Sequence, residues 1–518
     1  MDTHEDNKSA EESEETKELV VGDEPKETWL TRQRRRVWRR AHYRFPNLIP
    51  TPFREDLVYQ QERDQKNNLA THIPESEELR LRCIWGAELY GPSQIEPLYE
   101  GMKRLGWDKD SFGMPGRGAI DWIKNIRMYG SEGNFSIGVA HRIGETKWFP
   151  RDYFAPMPDR IDYLLVDIFQ ISASLTCVLV GFVMKEDSST CYEAALQTNR
   201  KTTNERRKGQ RGYSILDVGH LKKRSIDDLR RRHRRTAIQW FESHLPGLFC
   251  GATDGNRLPT AELVTLSNVL PFPGVDEDPE DRAEWTNLLS IERGLRVWVS
   301  DKCSGLRLSF DKLNSEARYH MIAALRVSDL SDKDLEGSGG RGHGAYVAYT
   351  HGQIEGILSR YAAIALLSEM RRKLNLSRES LKPSNHNRGV VLNTLESLEA
   401  FFYAGIGVPA VARELAEMSK KDRSFSWYCS GFSEQSYRKT EEKPDKISMR
   451  FQLQMSFLSK QLLTDEESTR ELFQQFSSIL SARESIKAQK RMEILAILAI
   501  FFALASVLLT LINHNLLN

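Results

Sequence analysis

Residues Ile494–Ile512 read ILAILAIFFALASVLLTLI, nineteen positions without a charge and with only Ser506 and Thr510 polar. As an α-helix this run covers about 28 Å at ~1.5 Å per residue, close to the ~30 Å hydrocarbon core of a bilayer. A helix of that length in water normally keeps a polar face. The run therefore predicts one transmembrane helix, and the rest of the chain follows as a large body tied to a membrane. The expected fold is an α+β cytosolic body with an all-α C-terminal part that ends in the transmembrane helix.

Charge sets the expected orientation. Arg483, Lys487, Lys490 and Arg491 lie on one side of the run, and the uncharged segment Asn513–Asn518 lies on the other. A basic flank stays inside, so the expectation is a single-pass, tail-anchored arrangement with the body in the cytosol. The start of the chain is unlike a secretory signal, because residues 1–28 hold eleven acidic residues against three lysines. The same imbalance reads as a disordered acidic tail. Six cysteines, none in a metal-ligand spacing, suit a reducing compartment and give no metal site.

Two basic blocks stand out against a net charge of only +1. In WLTRQRRRVWRRAHYRF, Arg32, Arg34, Arg35, Arg36, Arg39 and Arg40 alternate with aromatic residues. Further on, Asn199–Arg235 holds fourteen Lys or Arg against four acids. Its second half has helical spacing at Ile226, Leu229, His233, Ala237, Trp240 and Phe241, and carries Arg230, Arg231, Arg232, Arg234 and Arg235. Each block reads either as a solvated helix face or as a surface for anionic lipid or nucleic acid.

Other segments outline the body. Alternation predicts strands over Glu78–Trp85 and Asn134–Ile143, and helical spacing predicts helices over Ile95–Leu105 and Ala119–Met128. Ile161–Met184 is apolar enough to be mistaken for a second span. Asp162, Asp167 and Gln170 interrupt it, and Ser172–Ser174 sits where a turn belongs, so two buried antiparallel strands are expected. Trp148–Pro158 is expected as a loop, and Gly294–Ser300 with Gly305–Phe310 as a hairpin. Helices are expected over Gln353–Leu374, Val390–Tyr403 and Val408–Met418, followed by a long rod beyond Pro444. Thr464 with Glu467 has the pattern of a capping box. Leu472, Phe476, Ile479 and Ile486 form a heptad seam that Arg483 interrupts. The resulting division is 1–45, 46–270, 282–352, 353–443, 445–493, 494–512 and 513–518.

Chemistry-bearing motifs are sparse. Gly337–Gly342, GSGGRG, matches GxGxxG, but charged residues precede it and a strand over Ala345–Thr350 is expected to follow, which is the wrong context for a phosphate cradle. His343 and His351 flank that strand, so Arg341, His343 and His351 are the candidate ligand-binding residues. No motif names a cofactor or a catalytic group. A long cytosolic helix entering a membrane near the C-terminus is similar in architecture to the magnesium channels of the CorA type. The chain shows neither their second membrane helix nor their Gly-Met-Asn loop, and no function is carried over. The small residues Ala496, Ala499, Ala503, Ser506 and Thr510 share one helix face, which predicts self-association in the bilayer. The sequence thus supports a membrane-tethered interaction or sensor protein. Its alternatives are a membrane-anchored enzyme for a phosphorylated or nucleotide ligand, and a membrane-held nucleic-acid-binding protein.

Overall fold

In the computed structural model the described residues are 28–45, 47–49, 54–108, 110–111, 114–145, 153–205, 214–251, 257–273, 283–291, 296–310, 319–380, 407–435 and 444–516. The acidic segment 1–27 and the expected helix Val390–Tyr403 lie outside them. The helices are α1 (Trp29–Arg44), α2 (Arg54–Ala70), α3 (Ile95–Leu105), α4 (Ala119–Tyr129), α5 (Cys191–Gln197), α6 (Val218–His244), α7 (Thr286–Leu289), α8 (Asp332–Leu335), α9 (His343–Ser380), α10 (Gly407–Met418), α11 (Asp422–Tyr428) and α12 (Ile447–Leu516). The strands begin with β1 (Leu79–Tyr90), β2 (Asp110–Ser111), β3 (Met114–Gly118), β4 (Gly133–Arg142), β5 (Tyr153–Ala155), β6 (Ile161–Ser172) and β7 (Leu175–Met184). They continue with β8 (Thr203–Glu205), β9 (Ser214–Leu216), β10 (Thr260–Leu266), β11 (Trp298–Ser300), β12 (Leu306–Phe310), β13 (His320–Arg326) and β14 (Phe432–Glu434).

The chain divides into two compact units, residues 1–67 with 200–218, and residues 68–199 with 219–518. In the first, the Thr28 hydroxyl caps α1 by accepting the Thr31 N–H at 3.4 Å. The Asn47 side chain donates to the Asn204 carbonyl at 2.7 Å and accepts the Asn204 N–H at 2.9 Å, which ties the end of α1 to the β8–β9 hairpin.

The second unit is a mixed α/β body built on a ten-stranded sheet of order β14-β11-β12-β13-β10-β1-β7-β6-β4-β5. Only β10–β13 and β4–β5 pair in parallel. Ile161–Met184 forms the expected hairpin, β6 and β7, inside the sheet between β1 and β4. Every residue of β7 is buried, which explains its unbroken apolar sequence. Trp298–Ser300 and Leu306–Phe310 pair antiparallel as expected. The sheet draws on residues 79 to 434, so it runs through the expected divisions at 270–282 and 352–353. Alternation along β1 places helices on both faces. Ile84 faces the α6 side with Phe182, whereas Trp85 meets His351 of α9.

Three expected local structures are corrected. Within Trp148–Pro158, expected as a loop, Tyr153–Ala155 forms the edge strand β5 beside β4. Ala345–Thr350 is the first part of α9 and not a strand. Val347, Thr350, Ile354, Ile357 and Tyr361 are fully buried at spacings of three and four, and this helical stripe overrides the β-branched and aromatic composition of the segment. Likewise Thr464 does not start the last helix. Helix α12 begins at Ile447, because Ile447, Phe451, Met455, Leu458 and Leu462 form a buried stripe ahead of it. The Thr464 hydroxyl turns back to the Lys460 carbonyl at 3.1 Å, and Asp465 pairs with Arg371 at 2.9 Å and Arg378 at 3.4 Å. The heptad residues Phe476 and Ile479 lie outside the described side chains.

Helices α9, α10, α11 and the first part of α12 form the helical C-terminal part. Phe451 packs on Tyr361 and Phe310 with ring centroids 6.2 and 5.7 Å apart. Gly356 lets α9 approach α11. A Cβ there would sit 2.2 Å from the Tyr428 carbonyl oxygen and 3.0 Å from its carbon, both backbone atoms that cannot rotate away. Gly356→Ala is expected to destabilise the body by about 3 kcal/mol, the upper end for overpacking, as read by urea denaturation.

Candidate functional site

The α9 face of the sheet holds a cluster of titratable groups that sequence reasoning did not assemble. Asp167 stands in the middle of β6, and Trp85 in β1. His351 and Glu355, one turn apart on α9, come down on them. The Trp85 indole N–H donates to His351 Nδ1 at 2.9 Å, and His351 Nε2 lies 2.6 Å from Asp167 Oδ2 and 3.3 Å from Glu355 Oε2. A glycine across the strand makes room for the indole, since a Cβ on Gly181 would lie 2.8 Å from Trp85 Nε1.

These contacts fix the imidazole tautomer. Tryptophan only donates, so Nδ1 must accept and the proton of the neutral ring sits on Nε2, facing Asp167. Burial works against a charged His351, but the Asp167 carboxylate and its hydrogen bond outweigh it and raise the ring above its ordinary value. Glu355 is also raised, first by burial and then by Asp167. A second ring proton would face the indole N–H, so the imidazole gains a proton only at the expense of the Trp85 bond.

The ligand atoms of Asp167, His351 and Glu355 lie within 4.8 Å of one another. Their hydrogen bonding suits a shared proton better than a metal ion. A metal-binding histidine usually donates its second ring N–H outward, and here the second nitrogen is held as an acceptor.

The α6 face carries a second buried network. Glu262 of β10 accepts from Arg230 Nε at 2.7 Å and from the Tyr192 hydroxyl at 2.7 Å, and His320 Nε2 is 3.4 Å away. Burial alone would raise Glu262, but the Arg230 guanidinium holds it well below the usual carboxylate range. Arg230, expected on a surface, is therefore a core residue, and it also donates to the Leu289 carbonyl. Arg234 is buried as well, 3.4 Å from the Leu258 carbonyl. Arg231, Arg232 and Arg235 are exposed, with Arg231 paired to Asp228. On α1, Arg32, Arg34, Arg35, Arg36, Arg39 and Arg40 are all exposed.

The expected ligand group does not assemble. His343 and His351 are eight residues apart on one helix, about 12 Å along its axis. Arg341 pairs with Asp332 at 2.7 Å and donates to the Leu330 carbonyl at 3.2 Å. His343 accepts from Arg82 Nη1 at 2.9 Å. The GSGGRG segment follows a helical turn and leads directly into α9, with Gly339 and Gly340 in the left-handed region. It therefore lacks the preceding strand of a dinucleotide site.

Asp167 and Glu262 had a visible signal: Asp167 sits mid-strand in the apolar IDYLLVDIFQIS, and Glu262 is the lone carboxylate of TAELVTL. Nothing in the sequence pairs them with His351 or Arg230. Compared with known protein families, curated proteins and solved structures, the chain matches none.

Burial, reinforced by Arg82, pushes His343 down to about 4 from 6.5. Between those values the unfolded chain binds the proton that the folded chain refuses, so this residue makes stability fall as pH falls from about 6.5 to about 4. His343→Asn keeps an acceptor for Arg82 without a titrating ring. Urea denaturation across that window is expected to show a shallower loss of stability for the variant than for the wild type.

Proposed function

We propose that the protein is a membrane-tethered sensor or interaction protein in which one continuous helix joins the α/β body to a bilayer. The observation that carries this reading is the contrast within α12, a helix of 70 residues. Its first turns are packed in the body. Its apolar stretch is solvent-facing, and the described large side chains from Ile494 to Leu509 range from 46% exposed at Leu498 to 68% at Phe502. These residues occupy every side of the helix, at a cost of ~25 cal/mol per Å² left in water, and lipid would cover them all.

Among the described residues no helix is long and apolar enough to cross a membrane. In the apolar stretch the continuously described side chains end at Val507. Lys490 and Arg491 are exposed just before it, which supports a body on the cytosolic side. Ala496, Ala499, Ala503 and Ser506 recur at spacings of three and four, which supports self-association through close helix approach.

Deleting Glu493–Asn518 is expected to move the protein from the membrane to the soluble fraction with the melting temperature of the body unchanged. If the truncated chain still pellets with membranes after a high-salt wash, the helix is not the anchor.

The exposed arginines of α1, beside Trp29 and Trp38, support a second contact with anionic headgroups. Replacing Arg34, Arg35, Arg36, Arg39 and Arg40 by Gln is expected to weaken binding to phosphatidylserine vesicles about a thousandfold or more, at ~1 kcal/mol per arginine near the surface. A comparable loss for polynucleotide, with a steep salt dependence in the wild type, would favour nucleic acid as the partner.

A further inference from the structure

On the α6 face, Ile84, Ile161, Phe182 and Met184 form the apolar floor of a cleft of about 330 Å³. Its walls are the loop Pro158–Arg160 and the turn of α6 from Arg232 to Ala237. Arg160 and Arg232 are both exposed on its lining, and neither guanidinium forms an ion pair among the described residues. The neighbouring Arg230 and Arg231 differ, being matched to Glu262 and Asp228.

His233 lies between the cleft and a thiol. Its Nε2 is 3.6 Å from Cys191 Sγ. Burial, followed by the nearby Glu262 charge, pushes the Cys191 thiol up to about 11, so it keeps its proton and is able to donate to Nε2. Burial also pushes His233 down to about 4; Glu262 opposes this, while Arg160 and Arg232 add to it. The ring is therefore neutral at neutral pH, and with the thiol donating to Nε2 its one proton sits on Nδ1, as a donor.

The remaining charged lining group is Asp159. Two guanidiniums and one carboxylate leave the lining with one net positive charge. That matches a monoanion, whereas a phosphate monoester near neutral pH approaches two negative charges.

We propose that this cleft binds a small monocarboxylate with an apolar body, the carboxylate held by Arg160, Arg232 and the Nδ1–H of His233 and the hydrocarbon laid on Ile84, Ile161, Phe182 and Met184. The site belongs wholly to the unit of residues 68–199 and 219–518 and is independent of the membrane reading.

The probe is hexanoate, titrated into the full chain in a non-ionic detergent and followed by saturation-transfer NMR. Saturable binding is expected with a dissociation constant of about 1 mM or tighter. Arg160→Gln combined with Arg232→Gln is expected to weaken it about tenfold or more at an unchanged melting temperature, since both side chains are exposed. Thr236→Phe, which fills the cleft and keeps its charges, is expected to abolish binding. The proposal is overturned if hexanoate shows no saturable binding, if the double variant binds it as the wild type does, or if hexyl phosphate binds more tightly than hexanoate.

Discussion

Glu88, Asp167 and Glu262 stand on β1, β6 and β10 with almost no contact with water. An unpartnered carboxylate in such a place costs several kcal/mol, and the packing of both sheet faces supplies the partners. Glu262 is met by Arg230 of α6 and Tyr192 of α5. Asp167 is met by His351 of α9. Glu88 accepts the backbone N–H groups of Leu89, Phe249 and Cys250, which fixes the chain just after α6. Removing one partner from such a pair costs ~3–5 kcal/mol, so the positions of α6 and α9 are set by charge satisfaction as well as by apolar burial.

The three solutions differ in what they do to the carboxylate. Glu262 faces a full positive charge and stays ionised. Burial raises Glu88 to about 7, against the pull of the N–H groups of Phe249 and Cys250. An unfolded glutamate ionises near pH 4.5, so this shift costs stability as pH rises from about 4.5 to about 7. Asp167 has an imidazole partner whose second nitrogen is already committed to Trp85. The Asp167 cluster changes its hydrogen bonding when its imidazole gains a proton, and His351 lies on the helix that packs against α12.

Local pattern made much of the sheet legible in the sequence. Ile161–Met184 was readable as a hairpin because Asp162, Asp167 and Gln170 are wrong for a membrane span and Ser172–Ser174 marks a turn. The Ile95–Leu105 helix was readable from its spacing, and the structure gives it the same limits. The misread segments were those where tertiary burial overrides a local signal. The composition of Ala345–Thr350 favours a strand, but the buried stripe that begins at Val347 makes it helix. Thr464-Asp465-Glu466-Glu467 has the chemistry of a helix start, but Phe451 and Met455 carry the helix through it. Arg230 was misplaced for the same reason. On a helix rich in arginine, sequence alone does not say which guanidinium meets a buried carboxylate thirty residues later.

Helix α9 links the pieces that the sequence kept separate. Through His351 and Glu355 it rests on β1 and β6, and through Gly356 it lies against the backbone at Tyr428. Arg371 and Arg378 then brace it to Asp465 of α12, while Tyr361 and Phe451 fill the space between the two helices. Close-packed contacts of this kind transmit displacement because they lack the free volume to absorb it. A shift of α9 at His351 would therefore be carried to α12 through a salt bridge and an aromatic contact, with no flexible loop in between. From Asp465 the same helix continues without a glycine or proline to the apolar stretch at Ile494. A buried group able to change its hydrogen bonding, a helix docked on it and a continuous rod are the mechanical elements that the proposed sensor role would require.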